Sequence, residues 1–110
     1  MLIISDYVLL RTAVPTSDAA KVRKAMGDAG AGKQGNYTHC SGSHASTGRF
    51  LPLKGAHPAI GQVGAPEEVQ EETIEMLCHK DIVEKVVLAL RNAHPYEEPP
   101  IDILPRYDIK

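Results

Sequence analysis

The stretch KDIVEKVVLALRNAHPYEEPPIDIL, residues 80–104, joins the clearest helical pattern of the chain to a short strand. Over 80–93 the apolar residues recur every three or four positions, which is the spacing of an amphipathic helix. Pro95 ends this helix, because the residue before a proline avoids the helical region. Two further prolines precede the apolar segment 101–104, which predicts a strand that starts there or lies at a sheet edge.

An earlier strand and helix repeat this arrangement. The segment YVLLRTAV, residues 7–14, is apolar and rich in β-branched residues, and Pro15 stops it, which predicts a buried strand. Residues 19–29 then place their apolar side chains at helical spacing, and the glycines that follow predict the end of a helix.

The middle of the chain predicts the remaining strands. Residues 36–43 (NYTHCSGS) have β character, and 47–51 (TGRFL) follow closely enough to form a hairpin with them. A loop rich in Gly and Pro occupies 52–66, and such long loops are often functional. Residues 69–77 alternate imperfectly, and their position in the order of elements favours a strand over a helix.

The resulting order, β-α-β(β)-β-α-β, predicts an α+β fold. We expect one domain over 1–110: a ferredoxin-like βαββαβ sandwich with an extra hairpin and both helices on one sheet face. The other sheet face needs a cover. Because 110 residues provide no third helix, we expect self-association to supply it.

Composition excludes several classes of function. The net charge is −2 and the basic residues are scattered, so neither nucleic acid nor an anionic membrane surface is an expected partner. Two cysteines make no disulfide framework. The first eleven residues lack the pattern of a signal peptide, and no apolar segment approaches membrane-spanning length. We therefore expect a cytoplasmic protein.

The segment AHPYEEP, residues 93–99, is the densest polar chemistry in the chain. An imidazole and two carboxylates, from His94, Glu97 and Glu98, can bind zinc or manganese. They can also perform acid–base chemistry, with His94 as the base, Glu98 orienting it and the Tyr96 hydroxyl donating a hydrogen bond to a developing charge. The alternative is that the prolines shape a corner between helix and strand and the polar groups cap it.

Other polar motifs are weaker. GDAGAGK, residues 27–33, fits the spacing of a P-loop, but Gln34 follows it where Ser or Thr is needed, and the segment closes a helix. On a strand, Cys40 and His44 would face one side, but a structural zinc site needs more ligands. We expect Cys40 to be buried there. Alternation also predicts that Glu71 and Glu75 share a face, where they repel, bind a cation or pair with an arginine.

Four segments together resemble a known family. They are AGAGKQGNYTHCS (29–41), GRFLPLKGAHPAIG (48–61), TIEML (73–77) and AHPYEEPPIDI (93–103). In this combination the chain resembles the YqfO-type domain, which is inserted in many bacterial members of the Nif-three-like family and also occurs alone. The resemblance implies a fold similar to PII signalling proteins and CutA, which close into trimers by sheet extension.

The resemblance also implies what the domain does. In the larger family members the dinuclear metal site lies in flanking lobes outside this domain. We therefore expect a non-enzymatic, homo-oligomeric PII/CutA-like module that binds a divalent metal or a small ligand, or regulates a partner protein. The alternatives are a purely structural assembly domain and a metal-assisted hydrolase that uses His94 and Glu98.

We expect the site residues to converge at a subunit interface. The predicted ligands of zinc or manganese are His39, His94, Glu97 and Glu98. The residues predicted to contact a small ligand are Tyr37, Glu75 and Tyr96.

Overall fold

A computed structural model describes all 110 residues and contains four strands and two helices. Each helix follows a single 3-10 turn, over Thr16–Asp18 and Lys80–Ile82. In chain order the elements are β1 (Leu2–Pro15), α1 (Ala19–Asp28), β2 (Gly42–Phe50), β3 (Glu67–His79), α2 (Val83–Ala93) and β4 (Ile101–Ile109).

The four strands form one sheet in the order β2-β3-β1-β4, with every neighbouring pair antiparallel. This order and the two split β-α-β units confirm the predicted ferredoxin-like fold. The proline-led strand β4 lies at a sheet edge, as the sequence predicts.

The core lies between the sheet and the two helices. Val22 and Met26 of α1 and Leu90 of α2 are fully buried in one cluster with Leu10 of β1 and Ile74 of β3. Burying each aliphatic side chain of this size contributes about 1.5–3 kcal/mol. Both helices therefore pack on one face of the sheet and leave the other, open face to the connecting segments. Neither helix combines the length and the apolar character needed to cross a membrane.

The extra hairpin predicted from 36–43 and 47–51 is absent, and this prediction is wrong. Residues 42–50 form the single strand β2, which pairs along its whole length with β3. The segment before it is irregular because Gly32, Gly35 and His39 have positive φ, the value for His39 being 58°. Two main-chain hydrogen bonds fix it: Gly32 N–H donates to Leu77 O, and Cys40 N–H donates to Gly32 O.

This irregular segment also corrects the predicted placement of Cys40. It is half-buried in a loop, whereas His44 lies exposed on β2, so the two do not share a strand face. The motif at 27–33 closes α1 and continues into a turn, as expected for a helix end rather than a P-loop.

The first and last strands are longer than predicted. Residues 2–4 pair with 107–109, and a register shift separates this pairing from the rest of β1 and β4. We call these two short segments the terminal arm. On one face of the arm stand Leu2 and Ile4 with their neighbours Tyr107 and Ile109, all between 59 and 79 % exposed. The arm thus presents an apolar surface that no part of the chain covers.

Candidate ligand-binding cleft

A cleft of about 650 Å³ lies on the open face of the sheet. Its base is formed by Ala13 of β1, Gly48 of β2 and Glu71 of β3, and the segment after α2 closes one side. Phe50 at the end of β2 and the Gly- and Pro-rich loop that follows give it a mostly apolar wall. The loop contributes Leu51, Pro52, Leu53, Pro58 and Ile60. The volume and the apolar lining are typical of sites for small organic ligands.

A buried carboxylate lies at the base of this cleft. Glu71 is only 6 % exposed, and its Oε2 accepts a hydrogen bond of 2.5 Å from the Tyr96 hydroxyl. Its other oxygen, Oε1, accepts no hydrogen bond within the chain. Because every fully buried side-chain polar atom in the protein has a partner, Oε1 keeps contact with the cleft. A ligand there meets an acceptor that is fixed in place.

Gly48 gives the Glu71 carboxylate its position. A Cβ atom at residue 48 would lie 2.3 Å from Oε1 and 2.5 Å from Oε2 of Glu71. The two residues face the same side of neighbouring strands, because they lie two residues apart in register. A residue with any side chain at position 48 would therefore push the carboxylate out of its place.

His94 is a structural support for the cleft rather than a free base. It is 6 % exposed; its Nδ1 accepts from Tyr96 N–H at 3.1 Å, so Nε2 carries the proton and donates to Ala13 O at 2.8 Å. Burial lowers the pKa of His94 and outweighs the opposing effects of the Ala13 carbonyl and the Glu71 charge. The ring is therefore neutral at pH 7 and holds the main chain that carries Tyr96.

Tyr96 is held as a hydrogen-bond donor. Its ring packs edge-on against Phe50 at a centroid distance of 5.9 Å and lies 4.8 Å from the His94 ring. Burial, followed by the hydrogen bond to Glu71 and its charge, raises the pKa of Tyr96 far above its ordinary value. The hydroxyl thus stays protonated and keeps Glu71 in place.

Two further carboxylates line the cleft from the corner after α2. Glu97 Oε1 accepts the main-chain N–H of His57 at 3.1 Å and so ties the loop after β2 to the corner. Glu98 is exposed, lines the cleft and makes no hydrogen bond within the chain. The cleft is therefore apolar along its wall and acidic at its base and corner.

Within one chain, the structure brings only part of the predicted site together. Tyr96, Glu97 and Glu98 line the cleft, and His94 lies directly behind it. The other three lie elsewhere because the segment before β2 and the middle of the sheet are separate from the corner: His39 binds Asp28 at 2.8 Å, Glu75 lies 3.9 Å from Arg11, and Tyr37 is exposed in the loop after α1.

The donor set does not match a metal site. No three His, Cys, Asp or Glu side chains lie close enough together to hold a metal ion. Both His94 nitrogens are already engaged with the main chain, and Glu98 does not contact the ring. The arrangement in which Glu98 orients His94 as a base is therefore not formed, and binding of zinc or manganese stays a prediction without a matching set of ligands.

The residue that sequence reasoning missed is Glu71. Alternation placed it with Glu75 on one face of a strand, and this is correct, since Arg11 pairs with Glu75 on that same face. Which of the two carboxylates is buried depends on Tyr96 and Phe50, which are 25 and 21 positions away in sequence. The available signal was the glycine at position 48, which leaves room for a neighbour.

Comparison with known proteins identifies relatives. The chain is 49 % identical over 90 residues to a Mycobacterium tuberculosis GTP cyclohydrolase 1 type 2 homolog and 45 % identical over 92 residues to that of Bacillus subtilis. These matches cover 82 and 84 % of this chain. A solved Bacillus cereus protein related to NIF3 superposes with a TM-score of 0.79 at 39 % identity, over 94 % of this chain and 26 % of that one.

The chain is similar, over most of its own length, to a segment of NIF3/YqfO-type proteins. This confirms the predicted resemblance. The chain spans about a quarter of the length of these relatives, 24 % of the mycobacterial protein and 25 % of the Bacillus subtilis protein. No family model matches the chain.

The fold resemblance to CutA is confirmed as well. The divalent cation tolerance protein CutA of Archaeoglobus fulgidus superposes with a TM-score of 0.66, over 91 % of this chain and 83 % of that one, at 15 % identity. At this identity the likeness concerns the fold alone.

The expectation of a non-enzymatic module is contradicted by the relatives. Proteins that are almost half identical to this chain are named as homologs of an enzyme, GTP cyclohydrolase 1 type 2. The domain resemblance alone gave no reason to exclude an activity, since the argument rested on lobes that lie outside the segment shared here.

Proposed function

We propose that this protein is a self-associating module of the YqfO type that binds a small organic molecule in the cleft on its open sheet face. The observation that supports this most is Glu71, a carboxylate that is 6 % exposed and has one oxygen without a partner at the base of the cleft. Because Oε1 opens to the cleft and is held in place through Oε2, it can accept a hydrogen bond from a ligand donor there. The cleft is also large enough, at about 650 Å³.

A ligand with hydrogen-bond donors suits this cleft better than a metal ion does. A divalent cation needs several oxygen or nitrogen ligands around it, whereas the wall offers carbon atoms from Phe50, Pro52 and Ile60. The cytoplasm as the location, and a partner protein that responds to the ligand, are further parts of the proposal that follow from the sequence and the resemblance.

Self-association is supported by the terminal arm. A two-stranded ribbon is only marginally stable in water, and the arm exposes four large apolar side chains on one face. Such a surface is typical of a contact with another protein. A second copy of the chain is the proposed partner, in keeping with the trimers that the resemblance to CutA and PII proteins implies.

A fragment screen monitored by amide chemical shifts tests the ligand-binding proposal. The fragments are cationic, neutral and anionic in equal numbers, and we expect hits to shift the amides of Phe50, Ala56 and Tyr96. Ala59→Trp, which fills the cleft, abolishes these shifts, while Ala45→Trp on the exposed surface of β2 preserves them. If no fragment of any charge moves the cleft amides, the proposed function is wrong.

A second candidate function follows from the name of the relatives, GTP cyclohydrolase 1 type 2 homolog. A guanine ring is flat and presents N–H donors, which match the apolar wall and the free oxygen of Glu71. Titration of the protein with guanosine and with GTP tests this candidate. Turnover of GTP, lost in Glu71→Gln, would support it, and the absence of any shift with either compound would exclude it.

A further inference from the structure

Resting on the proposed function, we infer that the cleft selects an organic cation: a protonated amine, amidinium or guanidinium group attached to an apolar body. The inference concerns the charge of the ligand, which the proposed function leaves open. It is based on the charges around the cleft, on the chemistry of its wall and on the free oxygen at its base.

The charges that line the cleft are unbalanced. Glu71, Glu97 and Glu98 contribute three carboxylates, and Arg49 contributes the one positive side chain. The Arg49 Nε already donates to Glu68 Oε2 at 3.0 Å, outside the cleft lining. The cleft therefore has an excess of negative charge in surroundings of low polarity, where charge interactions are stronger than in water.

The base of the cleft offers an acceptor for a hydrogen-bond donor of the ligand. The Tyr96 hydroxyl occupies Glu71 Oε2 and leaves Oε1 free, and Gly48 sets the position of the whole carboxylate. A cationic N–H group gives a charge-assisted hydrogen bond, which is about twice as strong as a neutral one. An anionic group at the same place would face the carboxylate at close range and be repelled.

The wall selects the rest of the ligand. Phe50 and Tyr96 form an edge-to-face pair beside the carboxylate, and aromatic faces attract organic cations. The aliphatic and proline side chains of the loop can bury an apolar body of matching size. A small hydrated metal ion would bury none of this wall, so the cleft favours an organic cation over an inorganic one.

Three probes of nearly the same shape test the inference. Benzamidine carries a positive charge, benzamide none and benzoate a negative charge. We expect benzamidine to shift the cleft amides and to bind at least about tenfold more tightly than benzamide. Benzamide leaves the Glu71 carboxylate without a positive partner, and a charge left unpaired in a contact is costly. Benzoate should not saturate at any concentration used.

Variants locate the effect. Glu71→Gln keeps an oxygen that accepts the Tyr96 hydroxyl and removes the charge, so benzamidine should weaken about tenfold while benzamide changes little. Glu98→Gln, at an exposed position, should fold normally and weaken benzamidine by a smaller factor. Glu84→Gln, on the exposed side of α2, is the matched control and should leave all three probes unchanged.

Failure of the inference and failure of the proposed function give different results. Equal binding of the three probes, or tightest binding by benzoate, overturns the selection of a cation and leaves a ligand-binding cleft in place. Cleft shifts that come only from neutral or anionic members of the fragment set do the same. If no probe and no fragment shifts the cleft amides, both the selection of a cation and the proposed ligand binding are overturned.

Discussion

His94 illustrates how one buried side chain sets the pH range in which the cleft exists. Its neutral ring accepts from Tyr96 N–H and donates to Ala13 O. A second proton on the ring would remove the acceptor for Tyr96 N–H. Protonation would therefore oppose the folded corner on which the Tyr96 hydroxyl and the Glu71 carboxylate depend.

The first prediction concerns stability and pH. Because burial lowers the pKa of His94 in the folded protein, the unfolded chain takes up its proton first as the pH falls. The contribution of the neutral ring is complete above the ordinary histidine pKa of about 6.5 and is lost below it. We expect the free energy of unfolding, measured with urea, to fall between about pH 7.5 and about pH 5.5.

Substitution isolates the part of this pH dependence that belongs to His94. His94→Gln removes the titrating group, so its free energy of unfolding should be lower at neutral pH and should change less with pH. His44→Gln, on the exposed surface of β2, is the matched control and should follow the unmodified protein. Identical slopes in the His94 variant and the unmodified protein would contradict the assignment.

At the scale of single residues, sequence reasoning found part of the cleft. The corner at 93–99 was recognised because its polar groups are adjacent in sequence, and Tyr96, Glu97 and Glu98 do line the cleft. Glu71 was missed because its burial is decided by side chains distant in sequence. A local pattern states which face of a strand a carboxylate occupies, but not what covers that face.

Strand β2 leaves room for a side chain of its neighbour β3 by having glycine at position 48. Gly48 lies against the Glu71 carboxylate, whereas Gly42, at the other end of β2, has no atom within 4 Å of the position of a Cβ. The two glycines are in the same strand and differ in this respect. They therefore make a matched pair for substitution.

The second prediction uses this pair. Gly48→Ala should lower the free energy of unfolding by about 1–3 kcal/mol, because it overpacks a site whose neighbour is fixed by Tyr96. Gly42→Ala should raise it by about 0.5 kcal/mol, since alanine restricts the unfolded chain. Urea denaturation measures both. If the two variants change stability alike, the carboxylate is free to move and the contact at Gly48 does not fix it.

The prediction of elements succeeded where the pattern is local. The apolar stripes of 19–29 and 80–93 and the apolar run of 7–14 identified α1, α2 and β1, because such periodicity reflects burial directly. Residues 36–41 were mistaken for a strand because β-forming residues occur there. Their conformation is instead fixed by residues with positive φ and by main-chain bonds to Gly32, which composition does not reveal.

For the whole molecule, the order of elements was enough to predict the ferredoxin-like sheet, since few arrangements satisfy two split β-α-β units. The cover of the open face was not. The sequence suggested that other copies of the chain cover the open face. Part of that cover comes instead from the chain's own loop after β2 and from the corner after α2, which together create the cleft. The part of the open face left for other copies is therefore more restricted than the sequence suggested, and the terminal arm is a separate exposed apolar surface.

The third prediction tests that surface. Ile4 and Tyr107 are cross-strand neighbours on the apolar face of the terminal arm. The double variant Ile4→Arg with Tyr107→Arg places two charges there, and burying unpaired charges in a contact is strongly unfavourable. In sedimentation equilibrium we expect the unmodified protein to have a multiple of the single-chain mass and the double variant to have the mass of one chain.

The control for this experiment lies on helix α2, outside the terminal arm. Leu88 of α2 is 61 % exposed, close to the 62 % of Ile4, so Leu88→Arg makes a comparable surface change away from the arm. It should leave the mass unchanged, and far-ultraviolet circular dichroism should show the same fold in every variant. If the double variant keeps the mass of the unmodified protein, self-association does not use the terminal arm. A single-chain mass for the unmodified protein would overturn self-association. It would not bear on the ligand-binding proposal, because the cleft is formed within one chain.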